Sequence, residues 1–300
     1  MPVVVSHRMN GNSSSTSPGS IAFRVGSEVL HGEHWAPAGR AKGALVLVHG
    51  FNSSLEEFGK APQWLAEEGF HALAFDQRGF GQSHGERGRT HVDRAVPDIA
   101  AAAATVLRLA GPGVPLGLIG HSLGGAYVTA AIGRGAVDAK AAVLAHPVDR
   151  MFDEVPLPLR GFYHLLGKVA ERRMAKGKPP GMLPYRSSSK SLFVSLEAAR
   201  EAGRPDFLLK HSNLGNYRAA TTMSTSTWAR DVKVPVLVVT SPHDRVVKPP
   251  HIRGVFEALA SPKRLFEHDG GHSCFRDLDG RRITHEMAAW FAEHLDAGDA

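Results

Sequence analysis

Cysteine is nearly missing: Cys274 stands alone among 300 residues. That excludes an intrachain disulfide and any metal site built from several cysteines. Long apolar runs are missing too. A membrane-crossing helix needs about 18 to 20 apolar residues in a row, and even the alanine-rich stretch from Ile99 to Ala110 is interrupted by Arg108. The apolar run Pro2 to Val5 is too short for an export signal and has no basic region before it, so the expected compartment is the cytoplasm. Aromatic residues make up 7% and charged residues 21%, against 43% hydrophobic. That balance belongs to a folded chain rather than a disordered or collagen-like one. Acidic residues are in deficit, with a formal charge of +6. The surplus is local: residues 150–230 hold 14 Lys and Arg against 6 Asp and Glu, and the remainder carries −2. No zinc-finger spacing, RNP-type aromatic motif or basic heptad accompanies that segment, so no nucleic-acid partner is expected. Its most basic run, Lys168 to Lys178, reads as a solvated helix face.

Against these absences stands a rhythm. Residues 1–20, rich in Ser, Asn and Gly, read as a flexible tail. Strand candidates follow at Ile21–Val25 and Val29–Trp35. Continuous apolar runs then recur at Ala44–His49, Phe70–Phe75, Leu116–Ile119, Ala141–Ala145 and Pro235–Thr240, with a last strand at Arg264–Glu267. Runs without alternation are apolar on both faces, the mark of a parallel sheet covered by helices. Helical spacing lies between them: Val92, Val96, Ile99, Ala103, Val106 and Ala110 share one face, as do Ile283, Met287, Trp290, Phe291 and Leu295. Strands alternating with helices predict an α/β domain with a mostly parallel sheet. Residues 150–230 break the rhythm, with a proline-rich lead (Val155–Leu159), helix candidates at Phe162–Ala175 and Leu192–Ala202, and a loop between them. They are expected to form a helical cap inserted into a core made of residues 21–149 and 231–300. The dense apolar residues Leu157, Leu159, Phe162, Tyr163, Leu165 and Leu166 are expected in part to cover a pocket.

The chemistry centres on Gly120-His121-Ser122-Leu123-Gly124, a G-x-S-x-G sequence between an apolar strand and a small-residue helix. Such a turn raises the serine hydroxyl above the sheet and leaves the next N–H at a helix start, where it can stabilise an oxyanion. Serine needs a base. His272, in the loop between the last strand and the last helix, is the candidate. Asp244, after the strand Pro235–Thr240, is the candidate for orienting its ring; Asp149 and Asp269 are rivals. The second oxyanion donor is expected at Phe51 N–H, in the loop His49-Gly50-Phe51-Asn52, beside that of Leu123. His121 reads as a packed or hydrogen-bonded core residue. Arg78 reads as a buttress of its loop, and His146-Pro147 as a pocket border or a hinge into the cap. Nothing marks Cys274 as a nucleophile.

Taken together, His49-Gly50-Phe51, the stretch Asp76-Gln77-Arg78-Gly79-Phe80-Gly81-Gln82-Ser83, Gly120 to Gly125, Asp244 and Gly271-His272 resemble the α/β-hydrolase superfamily. The Asp76–Gly88 stretch is similar to that of the branch containing serine aminopeptidase-like proteins, monoacylglycerol lipases and lysophospholipases. Phe80 stands where that branch commonly has histidine. The resemblance implies the α/β-hydrolase fold, with a cap between strands six and seven. It also implies hydrolysis of a small-molecule ester, acyl- or lipid-like, without cofactor or metal. Amide hydrolysis or acyl transfer on the same residues, and ligand binding without catalysis, are the other readings. No pattern in the chain sets an oligomeric state.

Overall fold

In the computed structural model, the described residues are 18–154, 157–184, 192–194, 207–216 and 223–295. Five runs with no exposed residue build the centre of the fold: β3 (Gly43–Val48), β4 (Phe70–Phe75), β5 (Leu116–His121), β6 (Ala141–Ala145) and β9 (Val236–Thr240). Strands this apolar are stable only with both faces covered, and helices supply the cover. With β1 (Gly19–Val25), β2 (Glu28–Trp35) and β10 (Lys263–Glu267) they form an eight-stranded sheet in the order β1-β2-β4-β3-β5-β6-β9-β10. All neighbours from β4 to β10 run parallel; β2 pairs antiparallel with both β1 and β4.

One core lies between the sheet and α2 (Val92–Ala110), α3 (Leu123–Gly133), α5 (Thr225–Ala229) and α6 (Pro249–Ala258). The other is closed by α1 (Ala61–Glu67) and α7 (Gly280–His294), whose Leu65, Ile283, Met287, Trp290 and Phe291 are buried against Leu45, Leu47 and Val143. The parallel register aligns the strand ends. Val48 stands opposite Gly120, His121 opposite Ala145, Ala145 opposite Val239, and Thr240 opposite Glu267. The loops leaving β3, β5, β6, β9 and β10 therefore emerge along one rim, where ligands of open α/β sheets bind.

Between β6 and β9, the sixth and seventh strands of this sheet in chain order, run α4 (Leu157–Met174) and a small antiparallel pair, β7 (Met182–Pro184) with β8 (His211–Asn213). Here the sequence expectations need correction. α4 begins within the proline-rich lead: Pro158 sits in its first turn, where the missing N–H costs no hydrogen bond. Leu157 is 75% and Phe162 54% exposed, and Leu159 and Leu165 are exposed too, so these four do not close over a pocket, while Tyr163 and Leu166 are half-buried. The three-residue strands β7 and β8 are too short for any periodicity to show. The helix expected at Leu192–Ala202 lies largely outside the described residues, as does most of the 1–20 tail. No helix among the described residues is long and apolar enough to cross a membrane.

Candidate active site

The turn between β5 and α3 is built by close approach. A Cβ on Gly120 would lie 2.5 Å from the Gly124 carbonyl oxygen, and one on Gly124 would lie 2.0 Å from the Val48 carbonyl oxygen. Both positions therefore exclude any side chain. Between them Ser122 adopts φ 53° and ψ −118°, a region that non-glycine residues visit only when their surroundings hold them there. Two hydrogen bonds hold it: Ser122 N–H donates to the Ala145 carbonyl at 2.8 Å, and Val148 N–H donates to the Ser122 carbonyl at 3.4 Å. Gly50 lies alongside, its missing Cβ only 3.1 Å from that of Ser122, so the loop carrying Phe51 flanks the serine. Leu123 is the first residue of α3, where backbone N–H groups have no partner within the helix.

Asp244 and His272 meet directly, with His272 Nδ1 2.8 Å from Asp244 Oδ2. Asp244 Oδ1 accepts from the amides of Val246 and Val247 at 2.7 and 2.9 Å. Burial opposes the negative charge of Asp244, but the imidazoles of His272 and His146 outweigh it and hold the carboxyl well below the ordinary carboxylate range. No hydrogen bond joins the Ser122 hydroxyl to His272 among the described residues; in the absence of substrate such contacts are commonly long. The rival acids are placed elsewhere. Asp149 accepts from Ser226 N–H at 2.9 Å at the start of α5, and Asp269 is exposed. Arg78 is held by Asp98 and Glu28, away from any reacting role. Phe80 is buried and packs edge-on against His49 at 5.5 Å. Burial pushes the Cys274 thiol well up, so it stays protonated.

Four further residues surround this pair: His146, read from the sequence as a pocket border or hinge, His121, read as a packed core residue, and Glu57 and His268, which carried no expectation. His146, at φ 50° just after β6, brings Nδ1 within 2.6 Å of the same Asp244 Oδ2, and its Nε2 lies 2.8 Å from Nε2 of His268. On the opposite side, the buried carboxylate of Glu57 accepts from Gly50 N–H at 2.8 Å and from His121 Nδ1 at 3.0 Å. His121 Nε2 is 2.8 Å from the His272 carbonyl oxygen. Both nitrogens of His121 thus face groups that can only accept, so the ring carries two protons and a positive charge. Burial works against both charges of this pair. Each partner outweighs it, lowering Glu57 and raising His121. Only the positions of His146 just after β6 and His121 at the end of β5 marked them for burial at the rim.

Donor atoms close enough to share an ion occur in His146, His268 and Cys274, and in His146, Asp244 and His272. Both nitrogens of His146 and the Nδ1 of His272 already have hydrogen-bond partners inside the protein. These clusters are accounted for by hydrogen bonding.

Burial lowers His146 to about 4 and His268 to about 3. These folded values lie below the unfolded value near 6.5, so below pH 6.5 the unfolded chain binds protons that the folded chain refuses. Stability then falls as pH falls, by on the order of 3 kcal/mol for His146 alone by pH 4. Urea midpoints should drop steeply between pH 6.5 and 4.5, and a midpoint constant over that range would contradict the buried neutral rings.

A cleft of about 330 Å³ adjoins Leu123, lined by Thr90, Tyr127, Met151, Met223 and Trp228 among others. Two segments from between β6 and β9 touch the rim. Leu209 N–H donates to the Asn52 carbonyl at 2.7 Å, and Ser273 N–H, beside His272, donates to the Leu192 carbonyl at 2.9 Å.

The chain is similar to known proteins over most of its length. The sequence profile of the serine aminopeptidase S33 family matches residues 39–279. A monoacylglycerol lipase of Mycolicibacterium smegmatis is 26% identical over 292 residues, covering 94% of this chain and 99% of that protein. A polyketide transferase of Stachybotrys chlorohalonatus is 28% identical, covering 86% and 91%. The crystal structure of a Paleococcus ferrophilus monoacylglycerol lipase superposes with a TM-score of 0.72 at 23% identity, covering 88% of this chain and 99% of that one. With a profile matched from before β3 to the start of α7, and a serine turn at the end of β5, the chain belongs to the serine aminopeptidase S33 family of α/β-hydrolases.

Proposed function

We propose that the protein is a serine hydrolase of carboxylic esters, with Ser122 as nucleophile, His272 as general base and acid, and Asp244 as the group that orients and stabilises the imidazolium. The observation that carries the reading is the Asp244–His272 contact at the same rim as a serine held at positive φ. His272 Nε2 takes the Ser122 proton as Oγ attacks the ester carbonyl. The amides of Phe51 and Leu123 receive the oxyanion, and two such donors supply several kcal/mol of transition-state stabilisation. His272 then protonates the leaving alcohol, and water releases the acyl group by the same steps in reverse.

The apolar wall of Leu123, Met151, Met223 and Trp228 suits an acyl or alkyl chain, and the lipase relatives favour a lipid-like ester. Residues 150–230 act in this reading as a cap, through Leu192 and Leu209, over a core of residues 21–149 and 231–300 behind a tail of residues 1–20. A reducing compartment such as the cytoplasm suits the single buried thiol.

A fluorophosphonate probe tests the assignment. It should label Ser122 stoichiometrically, and the protein should then lose activity on p-nitrophenyl esters of graded acyl length. An unreactive serine with tight ligand binding would make the protein a binder instead. The polyketide transferase among its relatives favours one second reading, acyl transfer. Ester cleavage in the presence of an added alcohol separates the two: a transferase accumulates the new ester faster than free acid, and a hydrolase does not. Matched amide substrates should turn over far more slowly than the esters; equal rates would favour a peptidase.

A further inference from the structure

Asp244 Oδ2 accepts from two imidazoles, not one: His272 Nδ1 at 2.8 Å and His146 Nδ1 at 2.6 Å. The second imidazole continues inward. His146 Nε2 lies 2.8 Å from His268 Nε2, and His268 Nδ1 accepts from the Gly270 amide at 3.0 Å. A backbone N–H can only donate, so His268 Nδ1 is bare and its proton sits on Nε2. That proton is donated to His146 Nε2, which must be bare in turn. His146 then carries its proton on Nδ1 and donates it to Asp244. One tautomer per ring satisfies every contact, and neither ring is charged. A second proton on His146 would set two N–H groups head to head.

We propose that His146 and His268 are positioning residues for the reaction: a neutral two-imidazole relay, anchored on the Gly270 amide, that fixes the acid Asp244 and competes with His272 for one carboxylate oxygen. The proposal rests on the hydrolase reading above. With Oδ1 held by the Val246 and Val247 amides and Oδ2 by His146, the carboxylate cannot rotate when His272 swings between its proton partners. The hydrogen bond from His146 also draws charge from Oδ2, so the imidazolium of His272 is stabilised less than by an undivided carboxylate.

The groups facing the relay fit this account. His146 meets Asp244 from the loop after β9, His268, His272 and Cys274 from the loop after β10, and His121 from the end of β5, its ring centre 6.2 Å away. His268 also feels Asp279 and Arg282 near the start of α7, which are paired with each other. Burial dominates both rings and keeps them neutral.

The test combines a spectroscopic and a kinetic arm on the full chain. Nitrogen-15 NMR of the histidine side chains at pH 7 should show His146 as the Nδ1–H tautomer and His268 as the Nε2–H tautomer. A reversed tautomer or a doubly protonated ring overturns the proposal, whether or not the protein hydrolyses esters. In the kinetic arm, fluorophosphonate labelling and ester turnover of the unmodified protein come first, and failure there rejects the hydrolase reading alone. If turnover is present, His146→Ala should lower kcat roughly tenfold with KM nearly unchanged. Its acid limb of kcat/KM should move up by about half a unit to one pH unit. His146→Asn keeps an amide N–H near the Nδ1 position and tolerates the positive φ, so it should recover most of both effects. An acid limb that moves by less than about 0.2 unit in His146→Ala rejects the relay, because a merely structural role would lower activity without moving the profile. Should His146→Ala fail to fold, the NMR arm on the unmodified chain still decides.

Discussion

Replacing Ser122 by alanine should lower kcat on a short p-nitrophenyl ester by about 10⁴- to 10⁶-fold, with an unchanged fold and a slightly raised thermal midpoint. The size of the loss follows from the role proposed for the hydroxyl. Without Oγ no acyl-enzyme forms, and what remains is the polarising effect of the Phe51 and Leu123 amides on direct attack by water. The gain in stability follows from burial of a polar group. Alanine keeps the Cβ and the positive φ of Ser122, so the backbone strain remains, but removing the hydroxyl relieves the desolvation that accompanies it. Asp244→Asn should cost about 10⁴-fold for a different reason. An asparagine at this position cannot accept from both His146 and His272 as strongly as the carboxylate does, and its NH₂ can turn His272 into the wrong tautomer. Circular dichroism and the ester assay on the two variants check both expectations. A Ser122→Ala protein that keeps within tenfold of the normal rate would end the nucleophile assignment. An Asp244→Asn protein with unaltered kcat would move the acid to another residue.

These residues were open to reading from the sequence because each is announced by its immediate neighbours. The glycines of the serine turn follow from backbone so close that an added Cβ would meet a carbonyl oxygen at 2.0 or 2.5 Å, a constraint strong enough to leave a pattern. Asp244 stands in the loop after the apolar run Pro235–Thr240 and His272 in the loop after the last strand, and parallel strands in register carry such loops to one rim. What surrounds them left no such trace. Glu57 and His121 are 64 residues apart, and His146 and Asp244 are 98 apart. Nothing local to Glu57 separates it from the adjacent Glu56, which is exposed. His146 was legible as a residue at the rim, but its partner was set by how the loop after β9 turns, which no periodicity records. The segment between β6 and β9 was legible as an interruption, through its charge and its broken rhythm. Its details were not, because α4 buries only Gly167 and Ala170 among its described residues and so lacks a clear apolar face.

Glu57→Gln should destabilise the fold by about 3 to 5 kcal/mol, the usual cost of removing one partner of a buried ion pair. In a chain of this size that is a fall on the order of 10 °C in the thermal midpoint. The reason lies in what Glu57 holds. Its carboxylate binds the Gly50 amide of the oxyanion loop and the His121 ring, and that ring binds the carbonyl of His272. A glutamine can keep the Gly50 contact but leaves His121 without a counter-charge. The ring then loses a proton and can donate to only one of its two acceptors. Either Glu57's loop or His272's loop is released, so kcat should fall more than KM changes. The pH dependence identifies the charge. Glu57 is held below its ordinary value of 4.5, so its contribution is present above 4.5 and is lost as pH falls through the folded value. His121 is held above 6.5, so its contribution is complete below 6.5 and is lost as pH rises through the folded value. The stability difference between the native chain and Glu57→Gln should therefore peak between about pH 4.5 and 6.5 and shrink on the alkaline side. Denaturant titrations at pH 5.5, 7 and 9 measure it directly. A difference that stays level across all three would mean that His121 is neutral in the folded protein, and the ion pair would give way to an ordinary hydrogen bond.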